Sequence, residues 1–311
     1  MKKRILITEF MDEGAIELLA DHDVSVEPKL YADRSALLAA VAEVDALIVR
    51  NQTRVDAEII DAAPRLRAVG RLGVGFDNID VDACSARNIA VLPATGANAV
   101  SVAEYVIATA MTLVRGSLSS SSAVAAGEWP RVQLSGGGEI SGRTIGLVGF
   151  GTIAQAVAIR AAAMGMTVAA YDPLRPAVDP AWQQAERVED LDTLLSMADV
   201  ISLHVPLTSE TRDLIDEAAL SRMKPAAVLI NTARGGIVDE PALVAALKAG
   251  RIAGAALDVF AIEPLDVDVA LLFRGVPNII LTPHVAGVTA ESNVRVSTVT
   301  AQNVLRILEG G

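Results

Sequence analysis

Short β-branched runs alternate along the chain with Ala- and Leu-rich stretches of helical character, and this alternation restricts the possible folds more than any other feature. The runs are Ile5-Leu6-Ile7, Ala46 to Val49, Ala68-Val69, Ala90 to Leu92, Ile145 to Val148, Thr167 to Ala170, Val200 to Leu203, Val228 to Ile230 and Ala255 to Val259. Strand followed by helix, repeated, predicts an α/β fold with parallel sheets covered on both faces. Composition agrees: 52% of residues are hydrophobic but only 3% aromatic, so the core must be built from Ala, Val, Leu and Ile. The pattern restarts near residue 144, after the glycine run 136–138, which divides the 311 residues into two expected α/β lobes. The longest helical candidate runs from Asn98 to about Ala126, its serine cluster at 117–122 read as a solvated helix face in preference to a linker. A last helix is expected over Thr289 to Leu308.

The net charge of −12 repels phosphate backbones and anionic lipid, so no nucleic-acid and no membrane partner is expected. The lone Cys84 cannot form an intramolecular disulfide and reads as a small buried hydrophobe. The opening basic residues meet Glu9 after only a short apolar run, too short for a secretion signal, and a cytoplasmic location is expected. No metal site is expected.

Gly149-Phe-Gly151-Thr152-Ile153-Ala154 stands where a strand should end and a helix begin. In a dinucleotide-binding turn the first glycine allows the tight bend, the second lets the backbone approach a pyrophosphate, and a small third residue lets helix and strand pack. Asp172 follows the next strand, where a carboxylate accepts hydrogen bonds from ribose hydroxyls and repels a 2′-phosphate, favouring NAD over NADP. Arg175 tempers that preference, and a plain turn before Pro173 is the other reading of Asp172.

Three histidines exist, so a histidine acid/base must be His22, His204 or His284. His22, between Asp21 and Asp23, is expected on the solvated surface. His204 ends an apolar strand before Val205-Pro206, where it either lines the nicotinamide side of a cofactor crevice or is structural. His284 follows the apolar run to Leu281 and can handle the proton that accompanies hydride transfer. It needs an orienting carboxylate, for which Glu263 is the candidate. Arg234, after Val228 to Ile230, either forks onto a substrate carboxylate or caps a helix.

Taken together, Gly149-x-Gly151-x-x-Ala154 with Asp172, Asn231-Thr-Ala-Arg234-Gly-Gly, Ala255-Ala-Leu-Asp258-Val-Phe with Glu263-Pro264, and Pro283-His284 resemble the D-isomer-specific 2-hydroxyacid dehydrogenase family along nearly the whole chain. The resemblance implies that Arg234, Glu263 and His284 form the catalytic set and that the cofactor is NAD. It further implies cofactor contacts from Thr152, Ile153, His204, Val205, Pro206, Thr232, Arg234, His284 and Gly287, with Asp258 on the nicotinamide carboxamide. The backbone of Leu72-Gly73-Val74-Gly75 would cradle the substrate carboxylate. A Rossmann NAD-binding domain, 99–285, would be inserted into a flavodoxin-like discontinuous substrate domain made of 1–98 and 286–311, and the protein would be a homodimer. Ala154 departs from the usual third glycine.

The partner is thus expected to be a small 2-hydroxy or 2-oxo acid. Arg50, beside Asn51, and Arg71 either favour a second anionic group on it or make ordinary surface and ion-pair contacts. Val49-Arg50 and Gly70-Arg71-x-Gly73-Val-Gly75 resemble family members acting on 3-phosphoglycerate, while Ile7-Thr-Glu-Phe-Met-Asp-Glu13, Arg50-Asn51-Gln52-Thr53 and Ala94 to Asn98 are more similar to those acting on (S)-sulfolactate. Glycerate and hydroxypyruvate remain within the same class. The alternative function is an NAD(H)-sensing, corepressor-like binding protein of the same fold; the complete Arg234, Glu263 and His284 set counts against it.

Overall fold

The computed structural model describes residues 2–310, which divide into two compact units: 2–98 with 288–310, and Ala99–Gly287. The second crossing thus falls two residues beyond the expected 285/286 boundary.

In the first unit, strands β1 (Arg4–Ile7), β2 (Asp23–Val26), β3 (Ala46–Val49), β4 (Ala68–Arg71) and β5 (Ala90–Pro93) form a parallel sheet in the order β2-β1-β3-β4-β5. In the second, β6 (Thr144–Val148), β7 (Thr167–Tyr171), β8 (Glu186–Arg187), β9 (Val200–Leu203), β10 (Val228–Asn231), β11 (Gly254–Leu257) and β12 (Ile279–Leu281) form a parallel sheet in the order β12-β11-β10-β9-β6-β7-β8. Both chain orders reverse once, between β1 and β3 and between β6 and β9, and the carboxyl ends of strands at such a reversal open a crevice for ligands.

The central strands β3, β9, β10 and β11 are buried at every residue, which is why they read as unbroken apolar runs. Each sheet carries an apolar cluster on either face. In the first unit, Ile5, Ile7, Ile48 and Ala68 pack with Val296, Ala301 and Val304 of the last helix, Ala290–Glu309. On the other face Leu47, Val49 and Val69 pack with Ile59 and Ile60. Part of the acidic excess is structural: Asp12, Asp33, Asp56, Asp80, Asp190, Asp216, Asp239 and Asp266 each cap a helix N-terminus, where a carboxylate satisfies an otherwise unpaired N–H and meets the positive end of the helix dipole.

Three local expectations change. The long helix after Asn98 stops at Arg115; Gly116 turns left-handed, the chain bends by 71°, and a 3₁₀ turn, Ser117–Ser120, leads to a short helix, Ser121–Ala125. Strands β2 and β8 were not foreseen, because both are edge strands whose residues alternate with polar ones or number only two. His22 is not a solvated surface residue: both its ring nitrogens are shielded from solvent.

Candidate active site

In the second unit, β6 runs straight into the glycine turn. Gly149 has φ +84°, and a Cβ there would lie 2.7 Å from the carbonyl oxygen of His204, so both the bend and the packing on β9 demand glycine. Gly151 is the N-cap of the helix Thr152–Ala163 and makes no side-chain cap bond; a Cβ there would meet nothing within 4 Å. The helix that begins with Thr152-Ile153 thus has an N-terminus without a side-chain cap and with open space at Gly151, the arrangement that receives a phosphate. Ala154 is fully buried among Val102, Ala103 and Val157, filling the place of the third glycine.

Asp172, leaving β7, accepts the Phe150 N–H at 2.9 Å on one carboxylate oxygen and the Leu174 N–H at 3.0 Å on the other. It thereby ties the glycine turn to the loop after β7 and helps line a cavity of about 320 Å³ formed with Leu174, Arg175, Pro176 and Asp179. A cavity of about 340 Å³ in the first unit, lined by Arg4, Asp23, Glu27 and Glu43 among others, contains none of the expected site residues. Val205 and Pro206 follow β9 beside the glycine turn. His204 bonds Ser202 Oγ through Nε2 at 2.9 Å, and burial pushes its pKa down to about 4, so its ring is neutral at physiological pH. Thr232 Oγ1 is shielded from solvent with no hydrogen-bond partner among the described residues. An orphaned hydroxyl, an open helix N-terminus and a carboxylate at the end of the second strand together fit a dinucleotide.

The catalytic candidates lie on the loops after β10, β11 and β12. Asn231 bonds its own turn, accepting the Ala233 N–H and donating to the Arg234 carbonyl. Gly235 follows, and a Cβ there would sit 1.7 Å from the Phe260 carbonyl oxygen. Only glycine lets the Arg234 turn press against the turn that carries Glu263. Glu263 accepts the Phe260 N–H on Oε1 at 2.9 Å, and its Oε2 lies 2.7 Å from Nδ1 of His284. With Nδ1 donating to the carboxylate, Nε2 is the ring atom left to exchange a proton. His284 is 53% exposed, so that exchange is accessible.

Two more acids support this loop, Glu240, which motif reading did not single out, and Asp258. Glu240, 7% exposed, accepts the Ala261 N–H at 2.7 Å; burial, and then Glu263 and Asp239, push its carboxyl above the usual range against that hydrogen bond. Asp258, expected on the nicotinamide carboxamide, spends its carboxylate on its own chain, accepting from Thr282 Oγ1 at 2.6 Å and from the Val285 and Ala286 N–H groups at 2.8 Å. Thr282 Oγ1 in turn lies 2.6 Å from the Tyr105 hydroxyl. Gly287 closes the unit.

In the first unit, Glu9 is 4% exposed and accepts the backbone N–H groups of Arg50, Asn51, Gln52 and Thr53 at 2.8 to 3.3 Å. Sequence reading gave Glu9 no role of its own; four consecutive N–H groups converging on one carboxylate became visible only in the fold. Arg50 Nη2 donates to Asn293 Oδ1 at 2.7 Å, and burial lowers its pKa while Glu9 opposes the shift. Arg71 ends β4 opposite Val49 of β3 and curls back so that Nη1 donates to the Leu72 carbonyl at 2.7 Å. Its guanidinium lies over Gly73, where a Cβ would come within 2.4 Å of Nη1. The strand exits of β3 and β4 therefore place Arg50, Asn51, Arg71 and the Leu72-Gly73-Val74-Gly75 loop on neighbouring strands.

The NAD binding domain of the D-isomer specific 2-hydroxyacid dehydrogenases matches residues 107–286. The chain belongs to this family. It is 57% identical over 305 residues to the (S)-sulfolactate dehydrogenase of Chromohalobacter salexigens, covering 98% of both chains. It is 40% identical over 307 residues to the D-3-phosphoglycerate dehydrogenase of Archaeoglobus fulgidus, covering 99% of this chain and 58% of that one. The TT0316 protein of Thermus thermophilus superposes with a TM-score of 0.87 at 35% identity, covering 99% of this chain and 97% of that one. As a 2-hydroxyacid dehydrogenase, this protein is an NAD-dependent oxidoreductase that acts on a CH–OH donor and interconverts a 2-hydroxy acid and its 2-oxo acid.

Proposed function

We propose that the preferred substrate carries a second anionic group, and that (S)-sulfolactate with its oxo partner 3-sulfopyruvate is the physiological pair. The observation that carries this reading is the placement of two arginines, Arg50 and Arg71, at the exits of neighbouring strands in the first unit. The Arg50 guanidinium donates to the neutral amide of Asn293, and desolvation of its charge, opposed by Glu9 without being cancelled, is a cost that an anionic substrate group offsets. The likeness to the Chromohalobacter salexigens enzyme supports the same substrate.

The residue roles follow from chemistry. Bound NAD(H) supplies or takes up the hydride. In the reducing direction His284 gives its Nε2 proton to the carbonyl oxygen as that atom becomes a hydroxyl, and takes one back in oxidation. Glu263 holds Nδ1 and stabilises the imidazolium. Arg234 binds the substrate carboxylate and the oxygen on which negative charge develops. In the first unit the backbone of Leu72 to Gly75 is assigned to a substrate carboxylate, with Asn51 beside Arg50 as a further substrate contact. Gly149, Gly151, Thr152 and Ile153 receive the pyrophosphate and Asp172 the adenosine ribose, while His204, Val205, Pro206, Thr232 and Gly287 line the rest of the cofactor site. Asp258 is assigned to the nicotinamide carboxamide and also holds the His284 loop.

A panel of sulfopyruvate, phosphohydroxypyruvate, hydroxypyruvate and glyoxylate, read by NADH oxidation, tests this. Sulfopyruvate should give the highest kcat/KM, and Arg50→Ala should lower that value about 100-fold while changing glyoxylate turnover far less. Equal kcat/KM across the panel overturns the proposal. A cytoplasmic homodimer completes the reading, with exposed Val100 and Met111 on the helix Ala99–Arg115 as contact residues. Sedimentation of a monomer alone would remove it.

A further inference from the structure

The loop after β7 holds a second charged pair whose arrangement bears on cofactor choice. Arg175 Nη1 donates to Asp179 Oδ2 at 2.6 Å. The same guanidinium stands 6.0 Å over the ring of Phe150, the middle residue of the glycine turn. Phe150 is fully buried and stacks on Trp182 at 5.1 Å between centroids, and the Trp182 indole N–H donates to the Pro176 carbonyl at 2.9 Å. Asp179 has a second task, accepting the Ala181 N–H at 2.8 Å as the cap of a 3₁₀ turn, Pro180–Gln184. Its position is thus fixed by the backbone, and it fixes Arg175 in turn.

The cavity of about 320 Å³ bounded by these residues contains Asp172, Arg175 and Asp179, two carboxylates against one guanidinium. An arginine three residues beyond Asp172 is the natural partner for a phosphate on the adenosine 2′-oxygen, since its planar fork matches phosphate geometry. Here both its charge and an Nη donor are already engaged by Asp179.

We propose that Asp179 is a specificity-determining residue: by holding Arg175 against Phe150, it denies the guanidinium to a 2′-phosphate and makes the enzyme select NAD(H) over NADP(H). Asp172 repels the 2′-phosphate directly; Asp179 works by occupying the one cation near it in the cavity. Asp179 is a positioning residue, and the proposal rests on reading the Asp172 end of the cavity as the place of the adenosine ribose.

Asp179→Asn tests it, because the amide oxygen still caps Ala181 while the charge is lost. kcat/KM is measured with NADH and with NADPH on one oxo acid, and the NADPH-to-NADH ratio should rise at least tenfold, chiefly through a lower KM for NADPH. Adding Arg175→Ala to that variant should return the ratio to its original value. Asp179→Ser, which also keeps a cap acceptor, serves if the asparagine variant loses its folded circular dichroism. An unchanged ratio in a folded Asp179 variant, or a gain that survives Arg175→Ala, overturns the proposal. Asp172→Ala separates the two readings. If it alters the KM for NADH while the Asp179 variants leave the ratio unchanged, only the role of Asp179 fails. If it alters neither cofactor's KM, the ribose assignment fails and the proposal with it.

Discussion

Asp258 grips the His284 loop from both its main chain and its side chain. The His284 N–H donates to the Asp258 carbonyl at 2.8 Å, and the next two N–H groups, of Val285 and Ala286, donate to its two carboxylate oxygens. His284 itself has φ +55°, a left-handed conformation that costs a non-glycine residue on the order of 1 kcal/mol. Three hydrogen bonds from one buried residue hold the backbone in that conformation.

Asp258→Asn should therefore act on catalysis through geometry. An amide nitrogen in place of one oxygen faces an N–H donor, and about 1–3 kcal/mol of stability should be lost in urea unfolding. kcat should fall at least tenfold as His284 loses its set position. A variant with wild-type stability and kcat would show that the grip is dispensable.

The dyad makes a sharper demand. His284→Ala should reduce kcat by about 100- to 10,000-fold while NADH still binds, as fluorescence titration would report. Glu263→Gln keeps an acceptor for the Phe260 N–H but removes the charge beside Nδ1, and a loss of about 10- to 100-fold is expected. Retained turnover in His284→Ala would remove the assigned acid/base.

Glu9→Gln places an amide where four N–H groups converge. We expect the loop 50–53 to loosen, with a stability loss of about 2–4 kcal/mol. The KM for a dianionic oxo acid should rise more than that for glyoxylate, because Arg50 rides on the same loop. An equal rise for both substrates would separate Glu9 from anion selection.

His204 gives stability a pH dependence. Its pKa lies near 4 in the fold and at 6.5 when unfolded, so between these values only the unfolded chain takes up the proton. Stability should be full above pH 6.5 and decline as the pH falls towards 4, by at most about 3 kcal/mol from this group. Urea unfolding at pH 7.5 and pH 4.5 measures the decline, and His204→Asn should reduce it; an equal slope in the variant would refute the assignment.

Hydrophobic patterning by itself determined the parallel sheets, because strands covered on both faces must be apolar throughout, as Val200 to Leu203 and Val228 to Ile230 are. Local spacing likewise marked the glycine turn and Asp172, since a turn's backbone geometry is set by a few adjacent residues. Edge strands β2 and β8 escaped notice because one face of each needs no apolar partner. Only the tertiary structure decided what isolated acids do. Nothing beside Glu9, Glu240 or Asp258 in the sequence indicates that each will bind backbone N–H groups from as far as 44 residues away. The Glu263 contact with His284, 21 residues apart, was legible as chemistry, yet its 2.7 Å geometry exists because Gly235 and Asp258 press three separate loops together. A carboxylate's function depends on which donors and charges surround it, and that neighbourhood is assembled across the sheet.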